Sequence, residues 1–157
     1  MSSPNWLDAS EQRAWRSFLD TYTHLTAVLG KELSEDSGIS IQDYAVLVAL
    51  SEQPEGTMRA FELGHALAWE KSRLSHHITR MVDRGLVDRE GCKTDKRGAF
   101  VAITEAGRKA IKSAAPGHVA SVRRYFIDLL TAREIDALTK IAGKVRTALS
   151  AAGECDG

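Results

Sequence analysis

Cysteine is scarce in this chain: Cys92 and Cys155 are the only two in 157 residues, far apart and without metal-ligand spacing. No disulfide framework or zinc module can be read from them, and a cytoplasmic protein with free thiols is the expectation. Long apolar runs are missing as well. None approaches the roughly 18–20 residues that span a bilayer, and no basic stretch followed by an apolar run marks a secretory signal. Catalytic signatures are absent: there is no P-loop, no dinucleotide-binding glycine pattern, no Gly-x-Ser-x-Gly and no zinc-protease motif. The formal net charge is +0, which argues against an indiscriminate binder of polyanions.

The charge that is present is unevenly distributed. Residues 1–70 hold four basic and eleven acidic side chains, residues 71–112 eleven basic and five acidic, and residues 113–157 six and five. Positive charge is therefore concentrated in one internal segment, and local charge steers a phosphate backbone. The length suits one compact domain.

Apolar periodicity predicts a mainly helical chain. Asp8 and Glu11 form a capping pair ahead of a stripe of Trp15, Phe18, Leu19, Tyr22, Leu25, Leu29 and Leu33, about seven turns long and longer than a small core can cover. Its surplus is expected to meet another chain. Ser40, with Asp43, starts a second helix burying Tyr44, Val46, Leu47 and Leu50, and Thr57 is expected to cap a third burying Phe61, Leu63, Ala66 and Leu67. A fourth runs from about Glu70 to Arg84, with Leu74, Ile78, Met81 and Val82 on one side, and Gly85 stops it. Residues 86–89 and 99–103 read as short strands around a polar tip. Thr104 caps a fifth helix that Pro116-Gly117 is expected to kink or break. Thr131 to Glu134 is a capping box for a last helix burying Ile135, Leu138, Ile141, Val145 and Leu149. The order helix, turn, helix, strand, basic tip, strand is that of a winged helix, whose helix and hairpin are both used on duplex DNA.

The fourth helix carries the chemistry. With its apolar side inward, Ser72, Arg73, His76, Thr79 and Arg80 face out, Ser75 and His77 lie at the shoulders, and Lys71 opens the helix. No carboxylate occurs between Lys71 and Met81, which separates this face from an ordinary solvated one. Arg, Ser and His can meet base-edge acceptors in a major groove, and the first turn, with Ser72 and Arg73, is the part that reaches deepest.

Glu62-Leu63, Ala66-Leu67, Ser72, the run Ile78 to Val87 with Arg84-Gly85-Leu86-Val87, Arg89, Asp95-Lys96-Arg97, Ile103-Thr104 and Gly107, taken in register, resemble the MarR family of bacterial transcription regulators. The resemblance covers nearly the whole chain. It implies a mainly α fold with a small two- or three-stranded β wing: a winged helix-turn-helix core over 36–107, dimerisation helices over 1–35 and 108–152, and a frayed tail at 153–157. It implies a homodimer that binds a pseudopalindromic double-stranded DNA operator, as a repressor, with no enzymatic activity and no cofactor. At the wing, Arg97 matches the family position that enters the minor groove, Asp95 the carboxylate that orients it, and Lys93 and Lys96 add phosphate contacts. The family often has arginine where this chain has Lys96, which removes a bidentate donor.

Many relatives bind anionic aromatic molecules in a cleft between the winged helix and the dimer helices. Trp15, Tyr22, His24 and Tyr44 are the candidates to line such a pocket for a small aromatic or anionic effector, although at helical spacing such residues are more often core. His76 and His77 point about 100° apart and do not share a metal ion readily. Cys92 has no evident resolving partner for a redox switch. The rival readings are a winged-helix protein-interaction module that does not touch DNA, and a small enzyme with an unmarked site.

Overall fold

The computed structural model describes residues 4–91 and 99–153. They form six helices and three strands in the order α1 (Ala9–Ser37), α2 (Ile41–Ser51), β1 (Thr57–Arg59), α3 (Ala60–Leu67), α4 (Lys71–Asp83), β2 (Val87–Gly91), β3 (Ala99–Ile103), α5 (Glu105–Tyr125), a short 3-10 turn (Ile127–Leu129) and α6 (Ala132–Gly153). The fold is mainly helical with a small antiparallel sheet. The chain divides into one compact unit up to His118 and a second from Val119 onward.

Local chemistry sets the helix ends of the first unit. The Asp8 carboxylate accepts from the amides of Ser10 and Glu11 while Glu11 accepts from the Asp8 amide, and α1 closes on Gly38 at φ 72°, a conformation that favours glycine. Ser40 and Asp43 cap α2 in the same reciprocal way. The Thr104 hydroxyl accepts from the Gly107 amide and donates to the Gly85 carbonyl, tying the start of α5 to the end of α4.

The core gathers Leu33, Ile39, Val46, Leu47, Leu50, Leu63, Leu74, Ile78, Met81, Leu86, Val87, Val101, Ile103 and Ala114. Fully burying one such side chain is worth about 1.5–3 kcal/mol. The sheet order is β1-β3-β2, with β3 central. Met58 pairs with Val101, and Val87 with Ile103, so buried Val101 and Ile103 face the helices on alternate positions.

Several expectations are corrected. Thr57 begins a strand instead of capping α3. Gly56, at φ 68°, turns the chain back so that Thr57 to Arg59 pair with the free edge of β3. Phe61 is 77% exposed and Ala66 is exposed. Because α3 has only eight residues, Leu63 and Leu67, one turn apart, claim its inward side, and Phe61 lies about 200° from Leu63. Tyr44 is half-buried. Helix α5 is not broken at Pro116 but continues through it. The carbonyl deprived of its partner belongs to exposed Lys112, where water can replace the lost donor.

The terminal helices differ in burial from the core. In α1 only Leu29 and Leu33 are buried, while Trp15, Phe18, Leu19 and Tyr22 are exposed. In the second unit, α6 leaves Ile135, Leu138, Ile141, Val145 and Leu149 exposed, which corrects their expected burial within the protomer. Periodicity showed that these helices have an apolar face but could not show whether the same chain covers it. Contiguous apolar stripes left in water mark association surfaces.

Gly107 is where α5 approaches the end of α4. A Cβ there would collide with the Leu86 carbonyl and lie 2.9 Å from Ile103. Alanine in a helix gains about 1 kcal/mol over glycine, but overpacking against backbone costs about 1–3 kcal/mol. Gly107→Ala is therefore expected to be destabilising by about 1 kcal/mol net, read as a lower urea midpoint. A midpoint above the parent's would refute the close approach.

Candidate nucleic-acid interface

Helix α4 buries Leu74, Ile78 and Met81 and turns Lys71, Ser72, Arg73, Ser75, His76, Thr79 and Arg80 outward. The division follows from the 100° step: residues 74, 78 and 81 fall on one stripe, and the hydroxyls and cations fall opposite. Its N-terminus has no side-chain cap, so its first amides remain available to an anion. Lys71, Ser72, Ser75 and Glu70 line a shallow concavity there.

Two outward arginines are held from behind. The Arg73 guanidinium lies over the Trp69 ring, 4.6 Å from its centroid. Arg80 Nη2 lies 3.2 Å from His77 Nδ1. The strand side contributes Arg89, which donates to the Thr79 hydroxyl at 3.0 Å and to the Ser75 carbonyl at 2.8 Å, bracing β2 against α4. Spacing alone did not identify Arg89 as a contact, although it stands within the motif.

His77 departs from expectation. It is 8% exposed, and its ring lies edge-on to Trp69 at 5.3 Å. His77 Nε2 lies 3.0 Å from Asp43 Oδ1 without forming a hydrogen bond to it. It is not part of the outward face, because it lies three and four residues from buried Leu74 and Met81 and packs between Trp69 and Asp43.

Asp43 is 2% exposed. Besides capping α2, it accepts from Arg84 Nη1 at 2.7 Å, and Arg84 Nη2 donates to the Gly38 carbonyl at 3.2 Å. Burial raises the Asp43 carboxyl, but the Arg84 hydrogen bond, the Ser40 amide and the charges of Arg84 and His77 together outweigh it and hold the group below its ordinary range. Burial lowers His77, opposed by Asp43 and reinforced by Arg80 and Arg84, and the net direction is down. Nothing in the sequence signalled the Asp43–Arg84 pair, whose members are 41 residues apart.

The wing strands β2 and β3 are in place, while the expected tip residues Lys93, Asp95, Lys96 and Arg97, with Cys92, lie outside the described residues. The four expected pocket residues are engaged separately. Trp15 stacks on Phe18 at 6.1 Å, His24 meets Asp20, Tyr22 is 63% exposed, and Tyr44 lies 4.6 Å from the His118 ring. Among the described residues no group of three or more His, Cys, Asp and Glu side chains could hold a metal ion, and no helix is long and apolar enough to cross a membrane.

Comparison with known proteins decides the family. A sequence model of the MarR family matches residues 37–98. The transcriptional regulator HosA of Escherichia coli O127:H6 is 30% identical over 138 residues, 87% of this chain and 97% of that protein. AbsC, a MarR family transcriptional regulator from Streptomyces coelicolor, is 42% identical, with a TM-score of 0.87 over 94% of this chain and 99% of its own. The chain belongs to the MarR family. It is accordingly a winged helix-turn-helix, DNA-binding transcriptional regulator built as a homodimer, and not an enzyme. A second MarR family regulator from Streptomyces coelicolor, Sco3205, solved in complex with DNA, is 38% identical with a TM-score of 0.88, covering 93% of this chain and 92% of its own.

The MarR core in this chain thus contains a buried carboxylate whose main cationic partner is removable. Arg84→Met is expected to cost about 2 kcal/mol at neutral pH, the scale of a hydrogen bond to a charged group. The Asp43 pKa is depressed in the fold, so its stabilisation is present above the unfolded pKa and lost as pH falls through the folded one. Without Arg84, burial dominates and protonation relieves the site, so the penalty should shrink toward about pH 4. Urea unfolding across that range provides the check, and a penalty that does not change with pH would contradict the charge pairing.

Proposed function

We propose that the homodimer grips a pseudopalindromic duplex, each protomer laying α4 in a major groove and its wing in the flanking minor groove, and that it acts in the cytoplasm as a repressor. The observation that carries this reading is the outward face of α4: hydroxyls, imidazole and guanidinium groups exposed together, with no carboxylate from Lys71 to Val82 and an apolar face locked in the core. Arg73 and Arg80 are the base-reading candidates, Ser72, Thr79 and His76 their neighbours, and Lys71 a phosphate contact. Ser75, turned partly to Arg89, is a lesser contact. The DNA complex of the similar Sco3205 supports this use of the fold.

Arg97 is proposed as the minor-groove side chain, with Asp95 orienting it and Lys93 and Lys96 on phosphates. Any small aromatic or anionic effector would act by favouring one spacing of the two reading heads over another.

Selection from a random-sequence duplex pool tests the reading. It should enrich an inverted repeat with half-sites about one helical turn, ~10 base pairs, apart, and Arg73→Ala should relax preference by about 1–3 kcal/mol at one position per half-site. Enrichment of no sequence would reject base reading by α4. Arg97→Ala should weaken binding to all duplexes and lower the salt slope by about one; an unchanged slope would remove the wing tip from the interface.

A further inference from the structure

The exposed reading arginines are connected to a buried ionic cluster, and the connection has a direction. A guanidinium can only donate, so His77 Nδ1, 3.2 Å from Arg80, must accept. The ring proton then sits on Nε2, which lies 3.0 Å from Asp43 Oδ1 in a close charge–dipole contact and not a hydrogen bond. The neutral imidazole thus links a cation on the reading face to a carboxylate in the core. Its flank supports Trp69, over which Arg73 is stacked. From Asp43 the chain of contacts continues through Arg84 to the Gly38 carbonyl, the closing residue of α1.

We propose that Asp43 and His77 are positioning residues for DNA recognition: Asp43 fixes the His77 ring, His77 fixes Arg80 directly and Arg73 through Trp69, and Arg84 references the assembly to the end of α1. This rests on the reading of α4 as the base-reading helix and adds residues that need not touch DNA. Arg80 and Trp69 are each a single contact away from His77, so a rotated ring would redirect both arginines at once. The groups facing His77 are Asp43 from α2, Arg80 on α4 itself, Arg84 at its end and the non-titrating Trp69 before it. Protonation of His77 turns Nδ1 from acceptor to donor, opposite a guanidinium. Because burial lowers this histidine, that loss occurs on the acid side of the ordinary histidine range.

The experiment measures affinity of the full-length dimer for a pool-enriched duplex and for a shuffled duplex of the same length, between about pH 5 and pH 8. His77→Leu and Asp43→Asn should each lower the ratio of the two affinities about tenfold, with the shuffled-duplex affinity and its salt slope unchanged. His77→Gln, whose carboxamide can both accept and donate, should keep the ratio, and should keep it at acid pH where the parent loses it. Thermal melts on the same samples separate this from unfolding, and if Asp43→Asn does not fold, the His77 pair decides alone. Parent-like discrimination by His77→Leu, or equal loss in His77→Gln and His77→Leu, would overturn the proposal. Arg73→Ala and Arg80→Ala run in parallel: if neither changes the ratio, the base-reading role of α4 is wrong, whereas if they do and His77→Leu does not, only the positioning role is wrong.

Discussion

A carboxylate with almost no access to water is the constraint on which this structure depends. Asp43 would be expensive to bury alone, because an ionised group removed from water loses several kcal/mol of hydration. Its partners come from three places: the Ser40 amide at the start of α2, His77 on α4 and Arg84 just past the end of α4. Satisfying one residue therefore brings the start of α2 and the whole length of α4 together, and the second arm of Arg84 adds the end of α1. Apolar burial supplies the larger share of stability, but it is tolerant of small shifts. The ionic cluster has fixed directions, and it sits immediately behind the outward face.

That face is defined by subtraction. Leu74, Ile78 and Met81 can lie only against Leu47, Leu63 and the rest of the core, so the opposite side of α4 has no choice but to face water. Two further contacts remove its remaining freedom. Arg89 holds Ser75 and Thr79 to β2, and Trp69 supports Arg73 from the turn before the helix. The turn itself is tight: Ala68 takes φ 53°, and the Trp69 amide returns to the Gly64 carbonyl. At Gly64 an added Cβ would lie 3.3 Å from the Trp69 carbonyl, so a small residue there lets α3 and α4 approach closely.

What was legible in the sequence was local. The Asp8–Glu11 capping pair, the Ser40 cap with Asp43 in the first turn of α2, the Gly85 stop and the apolar stripe of α4 depend on neighbours within a turn or two, and each appears as expected. Thr57 was misassigned because a three-residue strand has no periodicity of its own and exists only by pairing with β3, over forty residues later. Hydrophobicity alone puts Phe61 inside, but the short α3 has only one inward edge and Leu63 and Leu67 occupy it. Of the kink or break that Pro116 leads one to expect, the break does not occur: a proline costs a long helix one hydrogen bond, which water can replace on an exposed side. Helical angle alone puts His77 at the shoulder of α4 beside Ser75, whereas the ring is buried. Its burial depends on Asp43, which no spacing rule links to it.

The apolar stripes of α1 and α6 are left exposed by the protomer. Trp15, Phe18, Leu19 and Tyr22 present a surface that a lone protomer leaves wet, so association contributes to folding stability as well as assembly. Helix α1 is continuous from that stripe to Gly38, about 43 Å at 1.5 Å per residue over its 29 residues. It therefore carries the exposed apolar stripe at one end and, at the other, the carbonyl that Arg84 grips. A rigid helix transmits displacement along its axis with little loss, whereas a loop at Gly38 without the Arg84 contact would absorb it. The contact between Arg84 and the end of α1 is thus the point at which the position of the exposed α1 stripe and the orientation of α4 become one mechanical problem.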